Sequence, residues 1–235
     1  MSSTPLPHWR PPGVPARRPL DGQYVRLEPL DPDRHGTPLW QALQGPGADP
    51  AQWDYMAFGP FATRSAFDAW LSGNQASADP LYFAALDPAS GQAQGLLSLL
   101  NIVPEHGRIE IGNICFGRAM QRSVRATEAI YLLARHVFEL GYRRLEWKCD
   151  ARNVRSRQAA ERLGFAYEGL FRQHLVVKAG NRDTAWYAAL DGEWPAIGLA
   201  FQRWLAADNF DAAGRQRRRL AELRRRDPAE RGTAG

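Results

Sequence analysis

Residues 120–141 read MQRSVRATEAIYLLARHVFELG. A short polar and basic opening, Gln121-Arg122-Ser123-Val124-Arg125, runs straight into a segment where Ile130, Leu133, Val137 and Leu140 recur at helical spacing. Gly141 then marks its stop. The preceding stretch, Ile109 to Phe116, is apolar and has strand character. A strand, a tight turn and a helix start together form an anion site, because the first N–H groups of a helix have no partner within it. The two arginines at the opening add charge to that site, which suits a phosphorylated cofactor.

Downstream, Arg144 to Cys149 reads as a strand, and Asn153 opens a helix that runs through Leu163 and stops at Gly164. Phe165 to Val177 is a strand or a bent pair of strands. Ala179-Gly180-Asn181 is a hairpin turn, and Thr184 to Leu190 returns. Asp191 is expected to cap a last helix with Pro195 in its first turn. Upstream, Tyr24 to Leu30 alternates as a strand, and Asp31-Pro32-Asp33 starts a helix to Leu43 that Gly45-Pro46-Gly47 breaks. Thr63 caps a helix to Ala76 with Phe67, Trp70 and Leu71 on its apolar face. Leu81 to Leu86, Gly95 to Val103 and Arg108 to Phe116 form an antiparallel meander. A meander first and β-α-β-α after predicts an α+β fold with one mixed sheet. The organisation expected is an extended Pro/Arg-rich stretch over 1–20 with little core to bury, a domain over 21–206, and a helix with a basic face over 207–235.

Composition narrows the function. No apolar run approaches the length of a membrane span, and the N-terminus lacks the apolar region of a signal peptide. Cys115 and Cys149 are the only cysteines, without a CxxC or metal-ligand spacing, so a reducing cytoplasm and no metal are expected. Seven arginines against one glutamate between Arg215 and Arg226 give that run +6, whereas the whole chain is +5. The basic character is therefore a C-terminal feature, and it argues against a nucleic-acid-binding body.

Two blocks carry a family likeness. Gln121 to Ala126 resembles the Q-x-x-G-x-A signature of the GCN5-related N-acetyltransferases (GNAT). Thr127-Glu128-Ala129, with Asn153-Val154-Arg155-Ser156-Arg157 and Glu161-Arg162-Leu163-Gly164-Phe165, is similar to the ribosomal-protein N-acetyltransferase branch. The likeness spans about residues 20 to 195. Val124 departs from it, standing where the signature has glycine.

The resemblance implies one α+β domain with helices on both faces of a mostly antiparallel sheet whose central strands splay. It implies acetyl-CoA as cofactor, with the pantetheine arm beside Ile114, Cys115 and Phe116 and the pyrophosphate on Gln121, Arg122, Ser123, Val124, Arg125, Ala126 and Thr127. Asn153, Ser156 and Arg157 complete the cofactor set. Asn153 can also be read as a simple helix cap, and cap and ligand contact are compatible. Ala160 occupies the position where many relatives have a tyrosine acid, which leaves Ser156 or a water as proton donor. Glu110 is the first candidate for the general base and His174 the second. The acceptor pocket is expected from Trp53 and Tyr55 in the aromatic run WDYMAFGPF, read as a lid or wall, with Arg172, Arg182, Asp183 and Trp186. The partner implied is a small-molecule or peptide amine, and the assembly a monomer or homodimer. A non-catalytic acyl-CoA-binding module and a polyanion binder acting through Arg215–Arg226 are the alternatives.

Overall fold

The computed structural model describes residues 6–224. Its centre is an eight-stranded sheet in the order β1-β2-β3-β4-β5-β6-β8-β7. Strands β1 (Leu20–Asp21), β2 (Arg26–Pro29), β3 (Leu81–Leu86), β4 (Ala93–Val103) and β5 (Arg108–Phe116) form one antiparallel half. Strands β6 (Arg144–Asp150), β7 (Ala166–Val177) and β8 (Gly180–Leu190) form the other, and β5 and β6 meet as the parallel pair.

Alternation along the strands gives the sheet two different faces. Leu81, Phe83 and Ala85 on β3, Leu97 and Leu99 on β4, and Leu145, Trp147 and Cys149 on β6 turn to one side. There they pack against α3 (Val124–Glu139), α4 (Val154–Leu163), α5 (Trp194–Leu205) and α6 (Leu220–Arg224). Tyr82, Ala84, Leu86, Leu96 and Cys115 turn to the other side, under α1 (Pro32–Gln44) and α2 (Arg64–Gln75). The second core lies over the meander half, and on that face β6 and β8 carry Glu146, Lys148, Asp150, Thr184 and Trp186 in place of its apolar contacts.

Local chemistry sets the element ends. Asp31, Thr63, Ser123 and Asn153 cap α1, α2, α3 and α4, each accepting a backbone N–H of the first turn. Gly164 ends α4 in the left-handed conformation, φ 104°.

Several expectations need correction. The β7–β8 turn is Lys178-Ala179, one residue earlier than read, and both residues take positive φ as a two-residue hairpin requires. Asp191 does not cap α5: it accepts from the Gly192 N–H, and Glu193 stands at the cap position without a side-chain cap bond. Beyond α5 the chain is not one helix. A 3-10 turn at Ala207–Asn209 and a bridge from Phe210 to Gln216 precede α6, and Leu220 and Leu223 sink into the main core. The expected helix over 225–235 lies outside the described residues. The Pro/Arg-rich stretch also has a buried side: Pro12 and Pro15 are buried, and the Tyr142 hydroxyl donates to the Gly13 carbonyl.

Candidate active site

Parallel β5 and β6 pair at three rungs, Arg108–Arg144, Ile109–Leu145 and Glu110–Glu146, and then part. Strand β6 continues with β8 to the rung Asp150–Thr184. Strand β5 turns the other way because it carries an extra residue: its register with β4 slips between Leu96 and Ser98, opposite Asn113 at φ 52°. Past Glu110 the β6-facing side of β5 therefore has no strand to pair with among the described residues, and its backbone groups remain open to a chain-like ligand. The splay expected from the family likeness is present.

At the end of β5 the chain turns through Gly117. A Cβ there would stand 2.8 Å from the Ala42 carbonyl oxygen and 2.9 Å from that of Gln94, so no side chain fits without a shift. The Gln121 amide folds back onto the Phe116 carbonyl at 2.7 Å and closes this turn. Arg122 takes a left-handed φ of 55°, and Ser123 caps α3. The N–H groups of Arg122, Val124 and Arg125 find no acceptor among the described residues. Three free donors at a positive helix end form an anion cradle. Val124 does not obstruct it, because its side chain packs against the main core.

Arg125 needs correction. Its guanidinium bonds Gln94 at 3.0 Å and pairs with Asp87 at 3.2 Å, so its charge is neutralised away from the cradle. Arg118 and Arg122 are exposed and have no ion-pair partner among the described residues. We expect Arg122→Glu to weaken CoA binding by about tenfold at low salt, measured by calorimetry; an unchanged Kd would move the phosphates elsewhere.

Across the gap, Asn153 Oδ1 accepts from the Ser156 N–H at 3.1 Å, leaving its amide N–H₂ without a partner among the described residues. Cap and open donor thus coexist. The Ser156 hydroxyl accepts from the Trp147 indole at 3.0 Å, which directs its own proton elsewhere. The Cys149 thiol is one such neighbour: burial pushes that thiol up, and the Ser156 hydrogen bond pulls the other way. Arg157 is corrected too. It donates to the Tyr187 hydroxyl at 3.2 Å and braces α4 against β8. Ala160 is fully buried. Cys115 points into the second core, its thiol pushed up to about 12 by burial, so only its backbone faces the gap.

The opposite face of the sheet holds the titratable groups. Glu110 is 6 % exposed, bonded by Lys148 at 2.9 Å and Asn101 at 2.7 Å. Lys148 also pairs with Glu146 at 2.8 Å and lies 4.1 Å from the Trp186 ring centroid. The two carboxylates diverge. Burial raises Glu110 above the ordinary carboxylate range, and Lys148 and Asn101 only partly offset it. Burial opposes ionisation of Glu146 as well, but hydrogen bonds from Lys148 and Arg144 outweigh it and hold that group low. Their surroundings thus push the two carboxyls in opposite directions.

His174 stands in the β7 bulge, its Nδ1 3.0 Å from the Thr184 hydroxyl and its ring against Phe171 and Trp186. Arg172, Gln173, Asn181 and Asp183 line a groove beside it, where Asp183 braces the bulge by accepting from the Gln173 N–H at 2.7 Å. Arg182 is half-buried with an unpartnered Nε. Tyr55 reaches the Arg152 carbonyl, and Lys178 at the hairpin tip donates to the Trp53 carbonyl at 2.8 Å. The Trp53 ring itself is corrected from wall to core. It is 1 % exposed and packed edge-on to Phe58 and Phe61, anchoring the segment from inside.

The sequence reading missed Trp147, Lys148 and Glu146. A signal existed, because Leu145, Trp147 and Cys149 alternate with Glu146, Lys148 and Asp150 on a strand buried in mid-sheet. Charges on one face of a central strand indicate a site rather than a core.

The sheet is thus split between parallel neighbours, with an anion cradle at one lip and buried charged groups at the other. Residues 25–166 match the acetyltransferase (GNAT) domain family. A crystal structure of a GCN5-related N-acetyltransferase from Brucella melitensis is 48% identical, covers 93% of this chain and 99% of its own, and superposes with a TM-score of 0.91. A probable GNAT-family acetyltransferase from Chromobacterium violaceum ATCC 12472 is 43% identical, covering 83% and 98%, with a TM-score of 0.78. An acetyltransferase structure from T. thermophilus is 31% identical over 80% and 97%, at 0.71. No curated protein matches the chain. The chain belongs to the GNAT acetyltransferase family.

Proposed function

We propose that the protein transfers an acetyl group from acetyl-CoA to a primary amine, on a protein N-terminus or a small molecule, by direct attack in a ternary complex. The observation that carries this reading is the split between β5 and β6, because it opens on both faces of the sheet. Trp147 and Ser156 lie on the α3–α4 side, and Glu110, Lys148 and Trp186 on the other. A thioester can approach from one side and an amine from the opposite one, in line.

The residues present fit the cofactor. The free N–H groups of Arg122, Val124 and Arg125 suit the pyrophosphate, with Arg122 adding charge. The open backbone of Ile114, Cys115 and Phe116 and the free Asn153 amide suit the pantetheine. Bound acetyl-CoA supplies the acetyl thioester and departs as the thiol. Glu110 takes a proton from the incoming ammonium, so that the amine attacks in its neutral form. The Ser156 hydroxyl, oriented by Trp147, donates a hydrogen bond to the departing sulfur, which takes up the second proton that the attacking nitrogen sheds as the intermediate collapses. Lys148 and Glu146 hold Glu110 in place, and Tyr55, Arg172, Arg182 and Asp183 surround the entry for the acceptor. Among the described residues no helix is long and apolar enough to cross a membrane.

The experiment is titration with acetyl-CoA followed by an acceptor panel of peptide N-termini and small amines, with acetylated product read by mass spectrometry. Binding without turnover on any acceptor would leave a non-catalytic acyl-CoA module. Trp147→Phe isolates the acid: the ring volume is largely kept and the indole N–H is lost. We expect kcat to fall by about tenfold, the worth of one hydrogen bond, with the Kd for acetyl-CoA unchanged. An unaltered kcat would remove Ser156 from that role.

A further inference from the structure

Most arginines of this protein that touch another charged side chain touch a carboxylate. Arg26, Arg34, Arg64, Arg125, Arg144, Arg152 and Arg215 each pair with Asp or Glu. Arg162 and Arg224 do not. They stand beside each other at the junction of α4 and α6, and among the described residues no carboxylate lies within ion-pair distance of either. Arg162 Nη2 donates to the Thr127 hydroxyl at 2.7 Å, and the guanidinium lies 5.8 Å from the Trp204 ring centroid. Arg224 Nη2 donates to the Glu161 carbonyl at 2.8 Å, while its Nε is shielded from solvent and has no acceptor. Two like charges held together without a counter-ion repel each other. The neighbouring cation lowers Arg162, and loss of hydration lowers Arg224, whose Nε is shielded without an acceptor. An anion between them would relieve both costs.

The place of this pair selects the anion. Thr127 belongs to the first turn of α3, directly after the free N–H groups of Val124 and Arg125. Arg162 therefore reaches from α4 to the same turn that closes the pyrophosphate cradle. In CoA the 3′-phosphate is one ribose away from the pyrophosphate, and it is a dianion that suits forked guanidinium donors. We infer that Arg162 and Arg224 form a subsite for the 3′-phosphate of CoA, so that the segment after α5 supplies part of the cofactor site. This inference rests on acetyl-CoA as the donor. It gives α6 a purpose that packing alone does not: Leu220 and Leu223 bury themselves in the main core and thereby fix Arg224 against the end of α4. Arg224 lies beyond the matched family domain, which ends at residue 166, so the family signature does not supply it.

The test is calorimetric titration of the full chain with CoA and with 3′-dephospho-CoA, which retains pyrophosphate and pantetheine. The wild type is expected to prefer CoA by about tenfold or more, since hydrogen bonds to a charged group are worth more than neutral ones. Arg162→Gln and Arg224→Gln should each lose most of that preference while binding dephospho-CoA as the wild type does. Equal affinity of the wild type for the two ligands would overturn the subsite without any variant being needed. Variants that weaken both ligands alike would also overturn it, since they would point to a structural role. Binding of neither ligand by the wild type would instead sink the acetyl-CoA reading itself.

Discussion

Glu110→Gln is expected to lower kcat/KM by about a hundredfold and to remove the acidic limb of the pH profile. Glutamine keeps the shape of the side chain and can still accept from Lys148 and Asn101, so the variant separates proton transfer from packing. The sign follows from the environment. Glu110 lies at the last rung before the strands part, facing Glu146 across that rung, and burial raises its carboxyl above the ordinary range. The wild-type rate should therefore fall as pH is lowered through that raised value, because a protonated carboxyl cannot take the proton of an ammonium. The glutamine variant has no such group, and any remaining pH dependence belongs to the acceptor amine. Glu146 cannot substitute. Lys148 and Arg144 hold it ionised at low pH, and a carboxylate that weakly basic is a poor proton acceptor near neutrality. His174→Gln is the contrast, since His174 sits in the β7 bulge with Nδ1 directed at Thr184. If Glu110→Gln keeps the limb and His174→Gln loses it, the base is His174.

Local order was the legible part of this chain, because the signals for it lie within a few residues of one another. Ser123 and Asn153 cap the helices that the apolar spacing predicts, and Gly164 ends one of them with the left-handed conformation its lack of a side chain allows. The anion cradle was legible for the same reason, being one strand end, one turn and one helix start. The illegible features depend on partners far away in the chain. Arg125 reads as a free cation beside a helix start, and only the β3–β4 hairpin reveals Asp87 as its counter-ion. Trp53 reads as a wall because its run lacks a period. Its burial is decided by Phe58, by Phe61 and by Gly59, where a Cβ would stand 2.5 Å from the Trp53 ring. The basic tail reads as a solvated face because arginines dominate it. Two leucines, Leu220 and Leu223, fasten its described residues onto the core. Charge patterning shows which residues prefer water and says little about what two well-placed apolar side chains can anchor.

Glu128→Ala is expected to cost about 3–5 kcal/mol of stability, because it strips three charge-assisted hydrogen bonds from backbone donors at once. Glu128 is 4 % exposed, and its carboxylate has no cation within ion-pair distance among the described residues. It is held instead by three backbone N–H groups, those of Gln23 at 2.8 Å, Tyr24 at 2.6 Å and Val25 at 2.8 Å. These belong to the connection between β1 and β2, so one side chain ties the first strands of the sheet to the first turns of α3. Gly22 permits the approach, because a Cβ there would stand 2.6 Å from the Glu128 carboxyl. Alanine removes all three hydrogen bonds at once and leaves the buried Val25 N–H without a partner or a route for water. For a chain of this size the loss corresponds to a fall in Tm on the order of 10 °C, measurable by thermal denaturation. Binding should register the same change. Glu128 stands one turn into the helix whose opening N–H groups form the cradle, so a loosened α3 start should weaken CoA more than it alters kcat at saturation. A Tm within about 2 °C of wild type, an effect typical of a neutral surface substitution, would show that the three N–H groups find water when the carboxylate is gone. The turn before β2 would then be open to solvent, and Glu128 would not be what fastens α3 to the sheet.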